Sequence, residues 1–293
     1  MKIGLVGLGR MGRAMYARLT ENGCEVIAWD KDAGAMKAAS ERQMRLAESP
    51  RAVAAHGDFV ISTITEDHGV RGIFRGKDGF LSGDVKGKLF IEMSTLQPMT
   101  GRELAPVVEA AGARLIDSPV FGTIPHVLQG KLYAMVGGRP EDIERARPVI
   151  EKLAGKIAHM GGNGAGYAMK LAVNLGLAAF IQATAESLAL GTREGLKLEQ
   201  MLDILGEAPT ANDWFAGKKG ALKGEPADVT LDLKTMRKDI LSAVATGTLN
   251  GTPMPLSSGV LDSLSAAVAH GWGDRDIGEL ARFFREHMGQ RFT

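Results

Sequence analysis

The feature that most constrains the fold is a glycine pattern near the N-terminus, Gly7-x-Gly9-x-x-Gly12, which directly follows the apolar run KIGLV. In such a pattern the first glycine permits a tight turn, the second lets the backbone approach a pyrophosphate, and the third lets a helix lie close to the strand. After the turn, Met15 and Leu19 recur at helical spacing. The pattern predicts a strand, turn and helix that bind a dinucleotide. The alternative is a strand-turn-helix whose glycines serve packing alone.

An acidic residue ends the second predicted strand. The run EVIAWD ends at Asp30, about 20 residues beyond the glycines, where a carboxylate accepts hydrogen bonds from the adenosine ribose. Such a carboxylate repels a 2′-phosphate and favours NAD, but Lys31 and Arg10 could hold a phosphate, so NADP stays open. The alternative for Asp30 is a solvated strand end. The cofactor-binding residues predicted from the turn and the first three strand ends are Gly7, Leu8, Gly9, Arg10, Met11, Gly12, Asp30, Lys31, Thr63 and Ile64.

Apolar runs and amphipathic stretches alternate through the first half of the chain. One helical pattern begins at Ser49-Pro50, an N-cap followed by proline at the first helical position, and another is RPEDIERARPVIEKLA. Strands that alternate with helices predict crossover connections and a mostly parallel sheet. The seven runs that predict strands are KIGLVG, EVIAWD, FVISTI, LFIEMS, RLIDSPV, LYAMVGG and KIAHMG.

Strand patterns stop after about residue 162, and the remainder predicts helices alone. The expected fold is an α/β Rossmann domain with a mostly parallel, doubly wound sheet over 1–162. An all-α substrate and oligomerisation domain over 163–293 follows, with a long interdomain helix. The segment GKKGALKGEPADV is predicted to be a surface loop. The predicted helices cover 164–193, 198–206, 233–249, 256–270 and 275–287.

Composition narrows the function classes. The net charge of +1 gives no reason to expect nucleic acid or an anionic membrane as a partner. The apolar tract 171–190 is interrupted by Asn174, Gln182 and Glu186, which favours a buried helix over a membrane span. The lone Cys24 fits a reducing compartment, and no His or Cys cluster has metal-ligand spacing. With no predicted signal peptide, we expect a cytoplasmic protein without a metal site.

The helix after residue 162 carries two polar side chains one turn apart, Lys170 and Asn174, which therefore share a face. Hydride transfer between a nicotinamide and a carbonyl requires a proton on the same oxygen. A lysine in a cleft can supply or remove that proton, and an asparagine can orient the lysine or the substrate. The two residues are predicted to be catalytic. The alternative is a lysine that extends its ammonium group to water while its stem covers apolar surface.

The segments LVGLGRMGRAM and GAGYAMKLAVN resemble the β-hydroxyacid dehydrogenase family, and the resemblance covers nearly the whole chain. Three further motifs, EMST, DSPVFGT…GKL and KDI, follow in the family's order. The resemblance implies hydride transfer between a 3-hydroxy acid and its semialdehyde, with Lys170 as general acid and base and Asn174 also at the substrate. It places Ser94 and Thr95 at the nicotinamide side and Lys238 near the cofactor and substrate, with a solvated helix face as the alternative for Lys238. It also implies a homodimer or homotetramer.

Two positions depart from the family pattern. Phe121 replaces the serine that helps hold the substrate carboxylate, and Val173 replaces the first asparagine of a pair. Substrate binding is therefore assigned to Phe121, Gly122, Thr123 and Asn174, with the backbone around Gly122 and the Thr123 hydroxyl as carboxylate donors.

Three other functions are alternatives to this interpretation. An imine reductase shares the two-domain organisation, but those enzymes generally lack lysine at the catalytic position. A 6-phosphogluconate dehydrogenase has a longer helical domain than this chain provides. A non-catalytic dinucleotide-binding module would not need Lys170 together with Asn174. His126, Asn212, Trp214 and Phe215 could border the substrate, with surface or core roles as the alternatives.

Overall fold

The structure, a computed structural model, describes residues 1–226 and 228–287. The chain forms two compact units, residues 1–171 and 172–293. Helix α8 (Ala165–Arg193) continues from the first unit into the second. The predicted domain boundary at 162/163 lies just before this helix, whereas the division of the structure lies within it.

The first unit contains an eight-stranded sheet in the order β2-β1-β3-β4-β5-β7-β6, with β8 paired to β7. The strands β1 to β5 are parallel, and β7 is antiparallel to both β5 and β6. All seven predicted strands are present, and the predicted run RLIDSPV divides into β5 and the first residue of the two-residue β6. The strands are β1 (Lys2–Val6), β2 (Glu25–Trp29), β3 (Phe59–Ser62), β4 (Leu89–Glu92), β5 (Arg114–Asp117), β6 (Val120–Phe121), β7 (Leu132–Gly137) and β8 (Ala154–Gly161).

Helices connect the strands of this sheet, as the alternating pattern predicted. The Ser49 side chain caps α3 by accepting from the Ala52 N–H, and Pro50 occupies the first turn. The doubly wound α/β expectation is confirmed. The helices are α1 (Arg10–Glu21), α2 (Ala33–Glu41), α3 (Pro50–His56), α4 (Asp67–Arg75), α5 (Pro98–Ala110), α6 (Ile124–Leu128) and α7 (Pro140–Leu153).

The core of the first unit lies on both faces of the sheet. On β4, Leu89 and Ile91 belong to one buried cluster and Phe90 to another. Successive strand residues point to opposite faces, so a sheet with both faces covered needs nearly continuous apolar strands. The run LFIE meets this requirement until its last residue, the fully buried Glu92.

Within the described residues, every secondary-structure element named for the second unit is a helix, and one core cluster includes Leu202, Phe215 and Phe283. A π-helical turn, Val268–Trp272, follows α12, and a short 3-10 helix, Ile277–Glu279, precedes α13. The helices after α8 are α9 (Leu198–Glu207), α10 (Asp213–Lys223), α11 (Leu233–Asn250), α12 (Pro255–Ala267) and α13 (Leu280–Glu286).

The loop predicted for GKKGALKGEPADV is wrong in its first half, which belongs to α10. The Asn212 side chain caps this helix by accepting from the Phe215 N–H at 3.0 Å. Ala221 and Leu222 are buried and contribute to the packing of the second unit. Burial of these residues and of Phe215 outweighs the glycines and lysines that separate Phe215 from Ala221, and Gly224 ends the helix at φ 91°. Ala227 lies outside the described residues.

By length and composition, one helix in the described ranges, Ala165–Arg193, could cross a membrane. Core helices of soluble proteins meet the same two criteria, and 39% of the apolar window of this helix is buried inside the protein. Asn174 and Gln182 are among its buried residues. A single helix of this kind is weak support for a membrane span.

Candidate active site

The three motif glycines occupy three different environments. Gly7 has φ 102°, and a Cβ there would lie 2.0 Å from the Thr63 carbonyl oxygen. A Cβ on Gly12 would lie 1.9 Å from the Gly7 carbonyl oxygen, so both positions exclude any other residue. A Cβ on Gly9 would have no neighbour within 4 Å. The turn is thus tightly packed at Gly7 and Gly12 and open at Gly9, where a pyrophosphate has to approach.

Asp30 contacts the glycine turn directly. The Leu8 N–H donates to Asp30 Oδ2 at 2.6 Å, and the Asp32 N–H donates to Asp30 Oδ1 at 2.9 Å. Each carboxylate oxygen has a second lone pair, so the group can still accept from ribose hydroxyls. Arg10, the first residue of α1, and Lys31, the residue after Asp30, are both exposed. This arrangement fits the adenosine half of a dinucleotide.

The next two strand ends are joined by Ser94. The Ile64 N–H donates to the buried Ser94 Oγ at 2.8 Å, which connects the residues after β3 to those after β4. Thr63 and Thr95 are half-buried beside these residues. The predicted cofactor residues Thr63, Ile64 and Thr95 therefore lie at the carboxyl edge of the parallel strands, where dinucleotides bind in such sheets.

Glu92 is the central acceptor at this edge. Its Oε2 accepts from the Ser94 N–H at 3.0 Å and from the Tyr167 hydroxyl at 2.5 Å. Its Oε1 accepts from the hydroxyl of Ser94 and from that of Ser62 at 3.3 Å. Burial raises the pKa of Glu92 to about 7, although these hydrogen bonds oppose the shift. Burial and the neighbouring Glu92 and Asp117 carboxyls raise the pKa of Tyr167 far above its usual value, so its hydroxyl stays a donor.

Asp117 fastens the start of α8 to β5. The Gly164 N–H donates to Asp117 Oδ1 at 2.7 Å, and the Tyr167 N–H donates to Oδ2 at 3.1 Å. Burial raises the pKa of Asp117 to about 6 despite these backbone hydrogen bonds. A carboxylate that accepts from the first N–H groups of a helix satisfies donors that have no partner within the helix.

Gly164 and Gly166 lie at the start of α8, where neither position has room for a side chain. A Cβ on Gly164 would lie 2.5 Å from the Pro98 carbonyl oxygen. A Cβ on Gly166 would lie 2.4 Å from the Met135 carbonyl oxygen. Both glycines therefore let the first turn of α8 pack against the first unit's own backbone.

Lys170 is half-buried on α8, one turn after Tyr167 and one turn before Asn174. Asn174 is 3% exposed, and its Nδ2 donates to Asp239 Oδ2 at 2.6 Å. The other oxygen of Asp239 forms an ion pair with Lys238 Nζ at 2.6 Å. Because the carboxylate fixes the amide nitrogen, Asn174 is oriented with Oδ1 as its remaining acceptor. Lys238 therefore forms an ion pair with the same carboxylate, that of Asp239, that orients Asn174.

The predicted substrate loop is arranged around His126. The Thr123 N–H lies 3.1 Å from His126 Nδ1, and the Thr123 hydroxyl lies 2.7 Å from the same nitrogen. Gly122 has φ 128°, which explains a glycine there. The Phe121 side chain is 40% exposed, and its ring centroid lies 4.8 Å from that of Tyr133. A carboxylate bound at Thr123 would therefore compete with His126 for both donors.

Sequence reasoning assigned no role to Glu92, Tyr167 or Asp239 in the site. The sequence signal for Glu92 is its position as an acidic residue at the end of the apolar run LFIE. Asp239 lies within the quoted KDI segment beside Lys238. The aromatic residues Trp214 and Phe215, weighed as pocket walls, contact Phe180 within the second unit, with centroid distances of 5.8 and 6.5 Å.

The comparison with known families covers nearly the whole chain. Residues 2–162 match the NAD binding domain of 6-phosphogluconate dehydrogenase. Residues 164–284 match the NAD-binding region of NADP-dependent 3-hydroxyisobutyrate dehydrogenase. Together with the open glycine turn and its acidic strand end, these matches define an oxidoreductase that uses NAD or NADP. The chain belongs to the β-hydroxyacid dehydrogenase family.

Two relatives align with the chain along its length. Glyoxylate/succinic semialdehyde reductase 1 of Arabidopsis thaliana is 28% identical over 289 residues, which cover 98% of this chain and 100% of that protein. The structure of 3-hydroxyisobutyrate dehydrogenase from Mycobacterium tuberculosis with L-serine has a TM-score of 0.84 and 30% identity, covering 97% of this chain and 99% of that one.

An imine reductase from Myxococcus stipitatus in complex with NADP+ has a similar fold. Its TM-score is 0.65 at 19% identity, and the match covers 97% of this chain and 100% of that one. At this identity the likeness concerns the fold alone. The imine reductase is more distant than the 3-hydroxyisobutyrate dehydrogenase, which agrees with the preference for a hydroxyacid dehydrogenase.

Proposed function

We propose that this protein interconverts a small 3-hydroxy acid and its semialdehyde, with Lys170 as the general acid and base. The observation that carries the assignment is the fixed amide of Asn174, one helical turn from Lys170. Because Asp239 Oδ2 accepts from Asn174 Nδ2 at 2.6 Å, the amide oxygen is the atom available to a donor. An ammonium group or a substrate hydroxyl is such a donor.

The proton transfer follows from these roles. When bound, the nicotinamide supplies a hydride to the carbonyl carbon, or accepts it from the alcohol carbon. In reduction, the Lys170 ammonium donates a proton to the carbonyl oxygen as the C=O double bond becomes a C–O single bond. In oxidation, the neutral amine takes the hydroxyl proton while the hydride leaves. The Asn174 oxygen holds the donor in line, which lowers the cost of orienting it.

We assign the acid group of the substrate to the loop Phe121–Gly122–Thr123. The donors are the backbone N–H groups around Gly122 and the Thr123 hydroxyl, with His126 displaced from Thr123 or sharing its donors. Phe121 presents an apolar ring where the family has a serine hydroxyl, so the substrate differs from the short, polar acids that serine accommodates. Two relatives, a glyoxylate/succinic semialdehyde reductase and a 3-hydroxyisobutyrate dehydrogenase, support this substrate class.

Initial rates test the assignment. NADH and NADPH are each combined with a panel of semialdehydes, and NAD+ and NADP+ with 3-hydroxy acids. We expect turnover with a semialdehyde and faster rates with NADH, because the Asp30 carboxylate repels a 2′-phosphate. A cyclic imine with NADPH is the comparison arm. Turnover of the imine alone would replace the proposal with an imine reductase, and cofactor binding without turnover across the panel would replace it with a binding module.

We also propose a cytoplasmic homodimer or homotetramer assembled through the helical unit. Large apolar side chains more than half exposed on this unit support the assembly: Leu190, Leu196, Ile204, Leu249 and Leu256. Burying such residues between copies would remove their apolar area from water. Sedimentation velocity measures the mass in solution, and a species of 31.1 kDa at micromolar concentration would contradict the assembly.

A further inference from the structure

Glu92 lies where three segments of the proposed site meet, all within the first unit. Its carboxyl accepts from Ser94, whose Oγ in turn accepts from the Ile64 N–H at 2.8 Å. It also accepts from Tyr167, one helical turn before Lys170, at 2.5 Å. One buried group therefore connects two segments assigned to the cofactor with the helix that carries the proposed acid and base.

The surroundings of Glu92 are those of a fixed support. Glu92 is fully buried, and Tyr167 and Ser94 are 1% and 4% exposed. The Tyr167 ring packs in the same apolar cluster as Phe90 and Leu104. Asp117, the register neighbour of Glu92 on β5, holds the backbone of the same helical turn. Buried side chains packed this closely are held in one conformation. Removing one of their hydrogen bonds therefore shifts the two segments that the bond connects.

We propose that Glu92 is a positioning residue, which holds the first turn of α8, and with it Lys170, in register with the cofactor-binding segments at Ile64 and Ser94. This inference rests on the proposed role of Lys170 and adds a residue that acts through it. Glu92 does not touch the reacting atoms. Its contribution is to keep the lysine amine within reach of the reacting oxygen, a geometry whose loss costs rate even when the displacement is small.

The distinguishing variants are Tyr167→Phe, Glu92→Ala and Glu92→Gln. Tyr167→Phe keeps the ring and removes only the helix-side hydrogen bond. Glu92→Ala removes the hydrogen bonds to Tyr167 on α8 and to Ser94 on the cofactor side. Glu92→Gln can keep the network, because its carbonyl can accept from Tyr167 and the Ser94 N–H while its amide donates to the serine hydroxyl oxygens.

We expect kcat to fall on the order of tenfold in Tyr167→Phe and up to about 100-fold in Glu92→Ala. In Tyr167→Phe the Kd for NADH, measured by fluorescence, stays close to that of the unchanged protein, and Glu92→Gln retains kcat. Tyr16→Phe is the matched control. The Tyr16 hydroxyl accepts from the Arg45 N–H at 2.8 Å on an exposed part of the same unit, and its loss leaves kcat unchanged.

A normal kcat in Tyr167→Phe would overturn the positioning role, and so would a loss confined to NADH affinity. If Glu92→Ala does not fold, the kcat values of Tyr167→Phe and Glu92→Gln still test the positioning role.

The combination of Tyr167→Phe with Lys170→Met separates this inference from the proposed function. The effects of residues that act through one another are not additive. Adding Tyr167→Phe to Lys170→Met should therefore lower kcat little further than Lys170→Met alone. A normal rate in Lys170→Met itself would instead refute the proposed function.

Discussion

Replacing Lys170 with methionine should lower kcat by roughly 100- to 10,000-fold, the usual contribution of a general acid and base. Methionine keeps the length and apolar stem of lysine but cannot exchange a proton, so helix packing is retained. The Kd for NADH should be nearly unchanged, because the glycine turn and Asp30 lie on other elements. Stopped-flow measurement of hydride transfer, together with NADH binding by fluorescence, checks both parts.

Two further substitutions sharpen this test. Lys170→Arg keeps the positive charge but not a proton that can leave near neutral pH, so it should be as inactive as the methionine variant. An active Lys170→Arg would mean that only charge is needed. The exposed Lys77, substituted by methionine, controls for the loss of a lysine elsewhere in the first unit. Near-normal turnover in Lys170→Met with the true substrate would end the mechanistic assignment.

Replacing Glu92 with glutamine should stabilise the protein at pH 8 and have little effect at pH 5. The pKa of Glu92 is raised to about 7 in the folded protein from an ordinary value of 4.5. Between these values the folded chain binds a proton that the unfolded chain has lost, so the free energy of unfolding falls as pH rises through this window. Because glutamine cannot ionise, the variant avoids this loss of unfolding free energy, which is on the order of 3 kcal/mol at pH 8.

Thermal unfolding of both proteins at pH 5 and pH 8 measures the effect. We expect the midpoint of Glu92→Gln to exceed that of the unchanged protein by several degrees at pH 8 and to match it at pH 5. Glu41→Gln is the control, because the Glu41 side chain is exposed. An equal difference at the two pH values would show that ionisation of Glu92 plays no part in stability.

The fold was largely predictable because hydrophobic patterning and glycine chemistry are local. The run LFIE predicts a buried strand whatever its partners are, and the Gly7-x-Gly9-x-x-Gly12 turn has few other structural uses. Helix α10 was missed because its apolar residues are few, and they bury their side chains only against other elements of the second unit. A sequence pattern reports how apolar a segment is, but not which partners bury it.

The candidate site was predictable only where function depends on spacing along the chain. Lys170 and Asn174 are one turn apart, and Asp30 ends a strand, so both assignments follow from the sequence. Glu92 and Tyr167 are 75 positions apart in sequence, and their hydrogen bond exists because β4 ends beside the start of α8. Likewise Asn174 and Asp239 are 65 positions apart. Contacts of this separation depend on the tertiary fold.

The hydrogen bond between the Leu8 N–H and Asp30 complicates any redesign of coenzyme preference. Exchanging this aspartate for a neutral residue is the obvious way to admit NADPH, since it removes the charge that opposes the extra phosphate. The same exchange would also leave the Leu8 amide of the glycine turn without its acceptor. The Asp30 carboxylate both opposes the extra phosphate and accepts from this amide. A designer would therefore need a replacement that still accepts from this amide, such as asparagine or serine, before adding arginines for the phosphate.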